Sequence, residues 1–342
     1  MEDKYKVINE YLNNYALAKN NTFFYNNLIQ INELANMLIL KNEKLDTKTN
    51  ISFKCNTFLD GFTSIEIVRN YLKTLDNNYV ILFDTYLKNG TINFTDLDDN
   101  NLYDDKNSYT GKLKESGQNT INIALEHTYV DPKTIIHEFF HILNLKDNYK
   151  GDSRNTLTEL ISIYFENECL DYMERLGYDS KEITKARIGR MYDTYNCSID
   201  IRELSDLFII YENFGNLNEN TYDLKEKYKE YFPFDKTYYI KLINNLYDKI
   251  KSKNKPDLVY MSRYLFCDNI VNYLRLNKKE DTTDKVMKLN QLIINNPNIF
   301  ECLKYIGFPI DDPDISEKAI NATVTNLNNN FEILKRSQKN QK

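Results

Sequence analysis

The spacing of apolar and polar residues along the chain predicts a mainly helical protein. Residues 1–42 place apolar side chains at helical intervals, as with Val7, Ile8 and Leu12. From residue 132 onward, strand patterns nearly vanish and helical periodicity takes over. The helical segments of this second half are 156–176, 236–251, 258–276 and the stretches near 283–306 and 314–336.

Residues 51–125 interrupt this helical pattern and predict a small mixed α/β layer. Alternating polarity here is typical of strands, and Asn-Gly and Ser-Gly pairs are typical of turns. The predicted elements are a strand at 51–58, an amphipathic helix at 64–76 capped by Ser64, a buried or edge strand at 79–87, a strand at 90–96 that could pair with it through Asn89-Gly90, and two short strands within 108–125. The predicted fold class is therefore mainly α with a small mixed α/β layer and a helical C-terminal half.

A helix that mixes polar and apolar residues is predicted within "DPKTIIHEFFHILN" (131–144), where Asp131 and Pro132 are typical of a helix start. Apolar residues flank His137, Glu138 and His141 on nearly every side, so this helix is expected to be buried all round. Three buried polar side chains are costly unless they are paired or coordinate a metal. A shuffled chain of this composition would contain His-Glu-x-x-His on the order of 0.002 times.

The spacing of these three residues suits a catalytic zinc ion. His137 and His141 lie four residues apart, so both imidazoles project from one face of the helix and can bind one ion. Glu138 points about 100° away, which places it beside a metal-bound water instead of in the coordination sphere. A general base belongs at that position. The sequence therefore predicts one zinc ion, with Glu138 as the base.

A catalytic zinc needs a third protein ligand, and no histidine follows His141 in the chain. The next predicted helix offers Glu159, Glu166 and Glu168. If a short turn joins the two helices, His141 and Glu159 lie level, roughly 6–7.5 Å from the turn. Glu166 lies about 10 Å further along, where it suits a partner of a ligand better than a ligand. The alternative for Glu159 is a capping box with Thr156.

Two motifs resemble a known family of enzymes. The combination of "HEFFH" (137–141) with "ELISIYFE" (159–166), a Glu-x-x-Ser-x-x-x-Glu pattern, is similar to the zinc oligopeptidases of the thimet oligopeptidase and oligoendopeptidase F type, which are gluzincins. The resemblance extends upstream over 109–141, where a glycine-containing strand and a hydrophobic edge strand lead into the His-Glu helix. It implies a zincin-like metallopeptidase whose active-site helix lies beside a short sheet.

The resemblance also implies roles for individual residues. The implied zinc ligands are His137, His141 and Glu159, the base is Glu138, Glu166 and Ser162 support the ligands, and Tyr260 or Tyr264 stabilises the oxyanion. Strand 119–125 is expected to add an extended substrate to its edge. His127, in the segment before the His-Glu helix, is expected to be a surface histidine, with substrate contact as the alternative.

Charge and cysteine content exclude several other classes of protein. The 44 basic and 50 acidic residues give a net charge of −6 without a long basic run, so no nucleic-acid partner is expected. The five cysteines are scattered and form no Cys-x-x-Cys pair, which favours a reducing compartment. The N-terminus lacks a signal-peptide core and no apolar run could span a bilayer, so a cytoplasmic protein without a membrane partner is predicted.

These features together predict a zinc metalloendopeptidase that acts on peptides. One catalytic unit is expected, with N-terminal helices, sheet and active-site helix in residues 1–150, the third ligand and oxyanion tyrosine in 151–342, and a cleft between these parts. Two alternatives stay open. One is a toxin-like or effector-like metalloprotease with a single protein substrate, and the other is a non-catalytic helical binding protein that keeps the metal site. The sequence predicts no oligomeric state.

Overall fold

The computed structural model describes residues 3–18, 35–37, 39, 54–96, 109–112, 119–144, 152–226, 235–252, 258–295 and 298–339. Helices dominate these residues, together with one small sheet. The helices are α1 (Lys4–Ala18), α2 (Gly61–Leu75), α3 (Asn77–Lys88), α4 (Val130–Asn144), α5 (Asp152–Arg175), α6 (Ser180–Phe214), α7 (Lys236–Lys251), α8 (Leu258–Leu276), α9 (Thr282–Asn295), α10 (Ile299–Tyr305) and α11 (Ile315–Lys339). A 3₁₀ helix spans Thr221–Glu226, and the strands are β1 (Ile92–Asp96), β2 (Tyr109–Lys112) and β3 (Asn119–Leu125). The predicted fold class is confirmed.

The chain groups into two compact units that interleave along the sequence. The first unit comprises Met1–Thr47, Gly151–Ser153 and Asp193–Phe266, and the second comprises Lys48–Lys150, Arg154–Tyr192 and Cys267–Lys342. Each unit draws segments from both sides of residue 150, so these units differ from the predicted parts 1–150 and 151–342. The predicted cleft between those parts stays a prediction.

The first unit contains α1, which packs against α7. Ile8 and Leu12 of α1 are fully buried, one helical turn apart. Asn9, on the same helix, exchanges two hydrogen bonds with the backbone of Leu217: its amide donates to the carbonyl at 2.9 Å and its oxygen accepts from the N–H at 2.8 Å. These bonds satisfy both backbone groups of Leu217, which is itself buried.

The sheet in the second unit has the order β1-β3-β2, with β1 parallel and β2 antiparallel to β3. The predicted hairpin between 79–87 and 90–96 is wrong, because 79–87 is helical and β1 pairs with β3, from Ile92 opposite Ile121 to Asp96 opposite Leu125. The expectation that 119–125 is an edge strand is also wrong. β3 lies in the middle of the sheet, so both of its edges are already paired.

Residues 79–87 form part of helix α3, and their predicted strand is wrong. Asp76 explains the difference: its extended backbone ends α2, and its side chain accepts from the N–H of Asn78, which starts α3. Phe83 is fully buried at 5.7 Å from the ring of Phe139, whereas Ile81 is 63% exposed. The continuous apolar run therefore forms part of a helix, in which one face contacts the core and another is exposed to solvent.

Two further details of the predicted layer are corrected. Residues 54–58 form no strand, and 51–53 lie outside the described residues. Helix α2 is capped by Asp60, which accepts from the N–H of Thr63, and not by Ser64, which is fully buried within the helix. The backbone N–H groups of Asn56 and Thr57 donate to Glu182 Oε2, at 2.7 and 3.2 Å. A buried carboxylate thus fixes the irregular segment before α2.

Helix α4 packs on β2 and β3. Phe139 and Phe140 of α4 are fully buried, as are Ile121 and Ile123 of β3. The ring of Phe140 stacks on that of Phe165 in α5, with centroids 4.1 Å apart and planes 9° from parallel. This stack joins the two helices that carry the predicted ligands.

Asp131 lies in the first turn of α4, but it does not cap that helix. Its Oδ1 accepts from the N–H of Glu126 at 2.9 Å, and its Oδ2 is buried without a hydrogen-bond partner among the described residues. Burial is the largest influence on this carboxyl and raises its pKa from 3.8 to about 6. A proton bound to Asp131 therefore favours the folded state between these two pH values.

We expect Asp131→Asn to remove a pH-dependent loss of stability. The wild type loses stability as pH rises from about 4 to about 6, because the carboxyl ionises in the unfolded chain while the folded state keeps its proton. Asparagine keeps the acceptor for the N–H of Glu126 and stays neutral at every pH. The free energy of unfolding of the variant, relative to that of the wild type, should therefore rise between about pH 4 and 6. Above about pH 6 the difference should stay constant at up to about 3 kcal/mol. Urea unfolding at pH 4, 5, 6 and 8 measures this difference. An equal stability difference at all four values would contradict the prediction.

None of the helices in the described ranges is long and apolar enough to cross a lipid bilayer. None of the five cysteines, all of which lie in the described ranges, forms a disulfide, and four of them are buried.

Candidate metal centre

His137 and His141 of α4 meet Glu159 of α5 in the second unit. Their potential ligand atoms all lie within 4.8 Å of one another. The two Nε2 atoms are 3.0 Å apart. Glu159 Oε1 lies 3.3 Å from His137 Nε2, and its Oε2 lies 3.3 Å from His141 Nε2. The three predicted ligands therefore form one group that could bind a metal ion.

The start of helix α5 settles the alternative that was open for Glu159. A capping box needs Thr156 at the position just before the helix, but α5 begins at Asp152, so Thr156 lies inside it. Thr156 is fully buried, and its carbonyl accepts from Cys267 Sγ at 3.3 Å. Most of the predicted turn between the two helices, 146–153, lies outside the described residues. Glu159 is thus free of a capping role and faces the imidazoles.

His141 is the most exposed member of the group. The side chains of His137 and Glu159 are 9% and 6% exposed, whereas that of His141 is 20% exposed. A ligand or water molecule from solvent would reach the group most easily beside His141.

The buried carboxylates around the two histidines favour a cation in the group. Burial opposes ionisation of Glu159, but His137 and His141 outweigh it and hold its pKa well below its usual range. Burial likewise disfavours a charged His137, yet Glu159 and Glu166 raise its pKa to about 10. The two carboxylates thus favour the charged form of His137, and a divalent ion in the group would supply that positive charge instead.

Glu166 contacts the back of His137, away from the ligand atoms. Its Oε2 lies 2.9 Å from His137 Nδ1, which leaves His137 Nε2 directed at His141 and Glu159. A carboxylate on the second ring nitrogen is the usual way to fix the orientation of a metal-binding histidine. Burial opposes ionisation of Glu166, but attraction to Arg190 and then Lys133 lowers its pKa to about 2.

The other predicted residues of α4 and α5 differ in their surroundings. Glu138 is buried beside His137 on α4. Ser162 is fully buried one turn from Glu159, and its Oγ has no hydrogen-bond partner among the described residues. Glu168, the third candidate ligand by sequence, pairs instead with Lys278 and stays outside the group. The roles predicted for Glu138 and Ser162 stay predictions.

Tyr260 and Tyr264 lie four residues apart in α8, within the first unit. Tyr264 is half-buried, and the side chain of Tyr260 lies outside the described part. The metal group belongs to the second unit, so the oxyanion role of either tyrosine stays a prediction.

His127 is half-exposed and has a left-handed backbone conformation, with φ of 54°. Its Nε2 lies 3.0 Å from Asp96 Oδ1, and its ring stacks on Phe58.

Sequence patterns missed three charged residues that surround the group. Arg190 of α6 has its Nη2 3.5 Å from Glu159 Oε1 and its Nε 3.7 Å from Asp268 Oδ2. Lys133 of α4 donates to the carbonyl of Ala186 at 3.2 Å. Helical periodicity places Lys133 four residues before His137, on the same face, and was a usable signal. Nothing local in the sequence connects Arg190 or Asp268 with Glu159.

The donor atoms fit zinc. Two imidazoles and one carboxylate are a known ligand set of catalytic zinc. Glu159 Oε1 is a buried oxygen without a hydrogen-bond partner among the described residues, although three nitrogen-bearing side chains surround this carboxylate. A buried carboxylate is costly unless cations lie close to it, and both Arg190 and a bound metal ion could serve Glu159 in this way.

Comparison with known proteins shows a fold relationship. No family model matches the chain, and no curated protein matches it. Among solved structures, a candidate peptidase from Chlamydophila abortus is similar, with a TM-score of 0.52 at 18% sequence identity. The similarity covers 90% of this chain and 55% of that one, so this chain spans about half the length of its structural neighbour. At this identity the likeness concerns the fold alone, and it agrees with the mainly helical architecture.

Proposed function

We propose that this protein is a zinc-dependent metallopeptidase. The observation that carries the proposal is the convergence of His137, His141 and Glu159 within 4.8 Å, with Glu138 next to the first histidine. Catalytic zinc sites combine such ligands with one position left for water. The name of the structural neighbour points to the same class of enzyme.

Each polar side chain of the centre would have one task in peptide hydrolysis. When bound, zinc supplies Lewis acidity and lowers the pKa of its water toward neutrality. His137, His141 and Glu159 would hold the ion, and Glu166 would orient His137 through their 2.9 Å contact. Glu138 would take the proton of the attacking water and pass it to the leaving amine. Tyr260 or Tyr264 would donate to the developing oxyanion of the substrate.

The proposed substrates are peptides in an extended conformation. Among the described residues, β2 pairs only with β3, so its outer edge could add a peptide strand. This assigns to β2 the role that the sequence suggested for 119–125.

The finer proposal is a cytoplasmic oligopeptidase of the thimet oligopeptidase and oligoendopeptidase F type. The order of elements supports it: β2 with Gly111, then β3, then the His-Glu helix α4, and then α5 with Glu159, Ser162 and Glu166.

Metal analysis and peptide turnover test the proposal together. The purified chain should bind one zinc ion, cleave members of a quenched-peptide panel, lose this activity with a chelator and regain it with added zinc. Absence of metal binding, or hydrolysis that a chelator leaves unchanged, would reject the proposal. Zinc binding without cleavage of any peptide would favour either the protease with a single protein substrate or the non-catalytic binding protein.

A further inference from the structure

Arg190 is a cation placed between the metal group and a second buried carboxylate. It approaches Glu159 Oε1 with Nη2 at 3.5 Å and Asp268 Oδ2 with Nε at 3.7 Å. The side chains of Glu159 and Asp268 are 6% and 5% exposed. Two carboxylates buried this deeply need a counter-charge, and a guanidinium keeps its charge at every pH a protein encounters.

The surroundings of Arg190 hold it in place. It lines a cavity of only about 10 Å³ with Glu166, Lys133 and Arg187, among other residues of the second unit. This volume is about that of a single water molecule, so little empty space remains beside Arg190 in this cavity. Asp268 also lies on α8 beside Asn269, whose side chain accepts from Thr323 of α11 at 2.8 Å. The carboxylate that anchors Arg190 thus belongs to a packed, hydrogen-bonded part of the unit.

The two oxygens of Glu159 have different neighbours. Oε2 lies 3.3 Å from His141 Nε2, whereas Oε1 lies between His137 Nε2 and the Arg190 guanidinium. A carboxylate that binds a metal through one oxygen needs a partner for the other, or it rotates and becomes a poor ligand. The planar, fixed geometry of arginine makes it better suited to this task than lysine.

We propose that Arg190 is a positioning residue of the metal centre, which holds Glu159 between the guanidinium and the two imidazoles and so fixes the carboxylate as a ligand. This inference rests on the proposed metal site and goes beyond it, because Arg190 itself would touch neither metal nor substrate. Asp268 would act as the anchor at the other end of the guanidinium.

A rival role for Arg190 gives the opposite result for metal affinity. If the guanidinium acts only as a positive charge near the ion, its removal strengthens zinc binding. If it positions Glu159, its removal weakens zinc binding, typically about 10- to 100-fold for partners of metal ligands. The sign of the change in Kd therefore separates the two roles.

Zinc affinity of the full chain, measured by competition with a chromophoric chelator, tests the proposal. We expect the Kd for zinc to rise about 10- to 100-fold in Arg190→Gln and less in Arg190→Lys. Excess zinc should restore peptide turnover in Arg190→Gln, because its ligands are intact. The matched control is Arg187→Gln: Arg187 lies one turn away on α6, is 8% exposed against 20% for Arg190, and pairs with Asp171 and Glu174, outside the metal group. Its Kd should equal that of the wild type.

An unchanged or lower Kd in Arg190→Gln would overturn the positioning role. If circular dichroism shows that Arg190→Gln does not fold, the Kd for zinc is measured in Arg190→Lys and Asp268→Asn instead. Wild-type Kd values in both of these variants would overturn the positioning role. A wild type that binds no zinc would reject the proposed function, and this inference with it. If the wild type binds zinc and Arg190→Gln binds it with the same Kd, the inference is rejected and the proposed function is not.

Discussion

Glu138→Gln should abolish most peptide hydrolysis and leave zinc binding intact. Glutamine has nearly the shape of glutamate but cannot accept the proton of the attacking water, so kcat/KM should fall by about 10²- to 10⁴-fold. The proposed zinc ligands His137, His141 and Glu159 are unchanged in this variant, and its Kd for zinc should match that of the wild type. Quenched-peptide kinetics and chelator competition measure the two quantities on one preparation.

The matched control for this experiment is Glu168→Gln. Glu168 is a buried glutamate that pairs with Lys278, away from the metal group, so its substitution should leave kcat/KM unchanged. Undiminished turnover in Glu138→Gln would show that another group is the base. Loss of zinc from Glu138→Gln would instead assign Glu138 to the coordination sphere.

Glu159→Gln should remove zinc from the protein and hydrolysis with it. An amide oxygen is neutral and binds zinc more weakly than a carboxylate. Substituting a residue that only contacts a metal ligand weakens metal binding by up to roughly 100-fold, and loss of a ligand should raise the Kd for zinc by more than that. Glu159 also lies within 3.5 Å of His137, His141 and Arg190, and its neutralisation leaves Arg190 without this buried counter-charge. The melting temperature of the metal-free chain should therefore fall as well.

Glu168→Gln again serves as the control, since it changes the same residue type on the same helix. A Glu159→Gln variant with wild-type zinc affinity would show that another acidic group is the third ligand. Glu166 would then be the next to test, because its carboxylate already contacts His137.

The metal group could be predicted from sequence because helix geometry determines most of it. The four-residue spacing of His137 and His141 sets their common face, and the depth of each residue below the turn pairs His141 with Glu159. The contact between Glu166 and His137 follows from the same helix geometry, because Glu166 lies two turns after Glu159 on the same face of α5. These are local relations within two neighbouring helices, and they hold before the rest of the chain is considered.

Other parts of the fold could not be predicted, because tertiary contacts determine them. The apolar run at 79–87 is compatible with a buried strand and with a helix, and the cap at Asp76 was the overlooked signal. The pairing of β1 with β3 joins strands that are distant in sequence, which no local pattern encodes. The approach of Arg190 to Glu159 likewise depends on how α6 lies beside α5 in the second unit.

The stacked rings of Phe140 and Phe165 bear on the distance between the two helices that carry the candidate ligands. Phe140 precedes His141, and Phe165 precedes Glu166, so the stack lies next to residues of the centre on both helices. The ring centroids are 4.1 Å apart, so the two rings are in direct contact and pack α4 against α5 at this point. Leucine at either position would remove the stack without replacing a candidate ligand, and the spacing of the two helices would change with it.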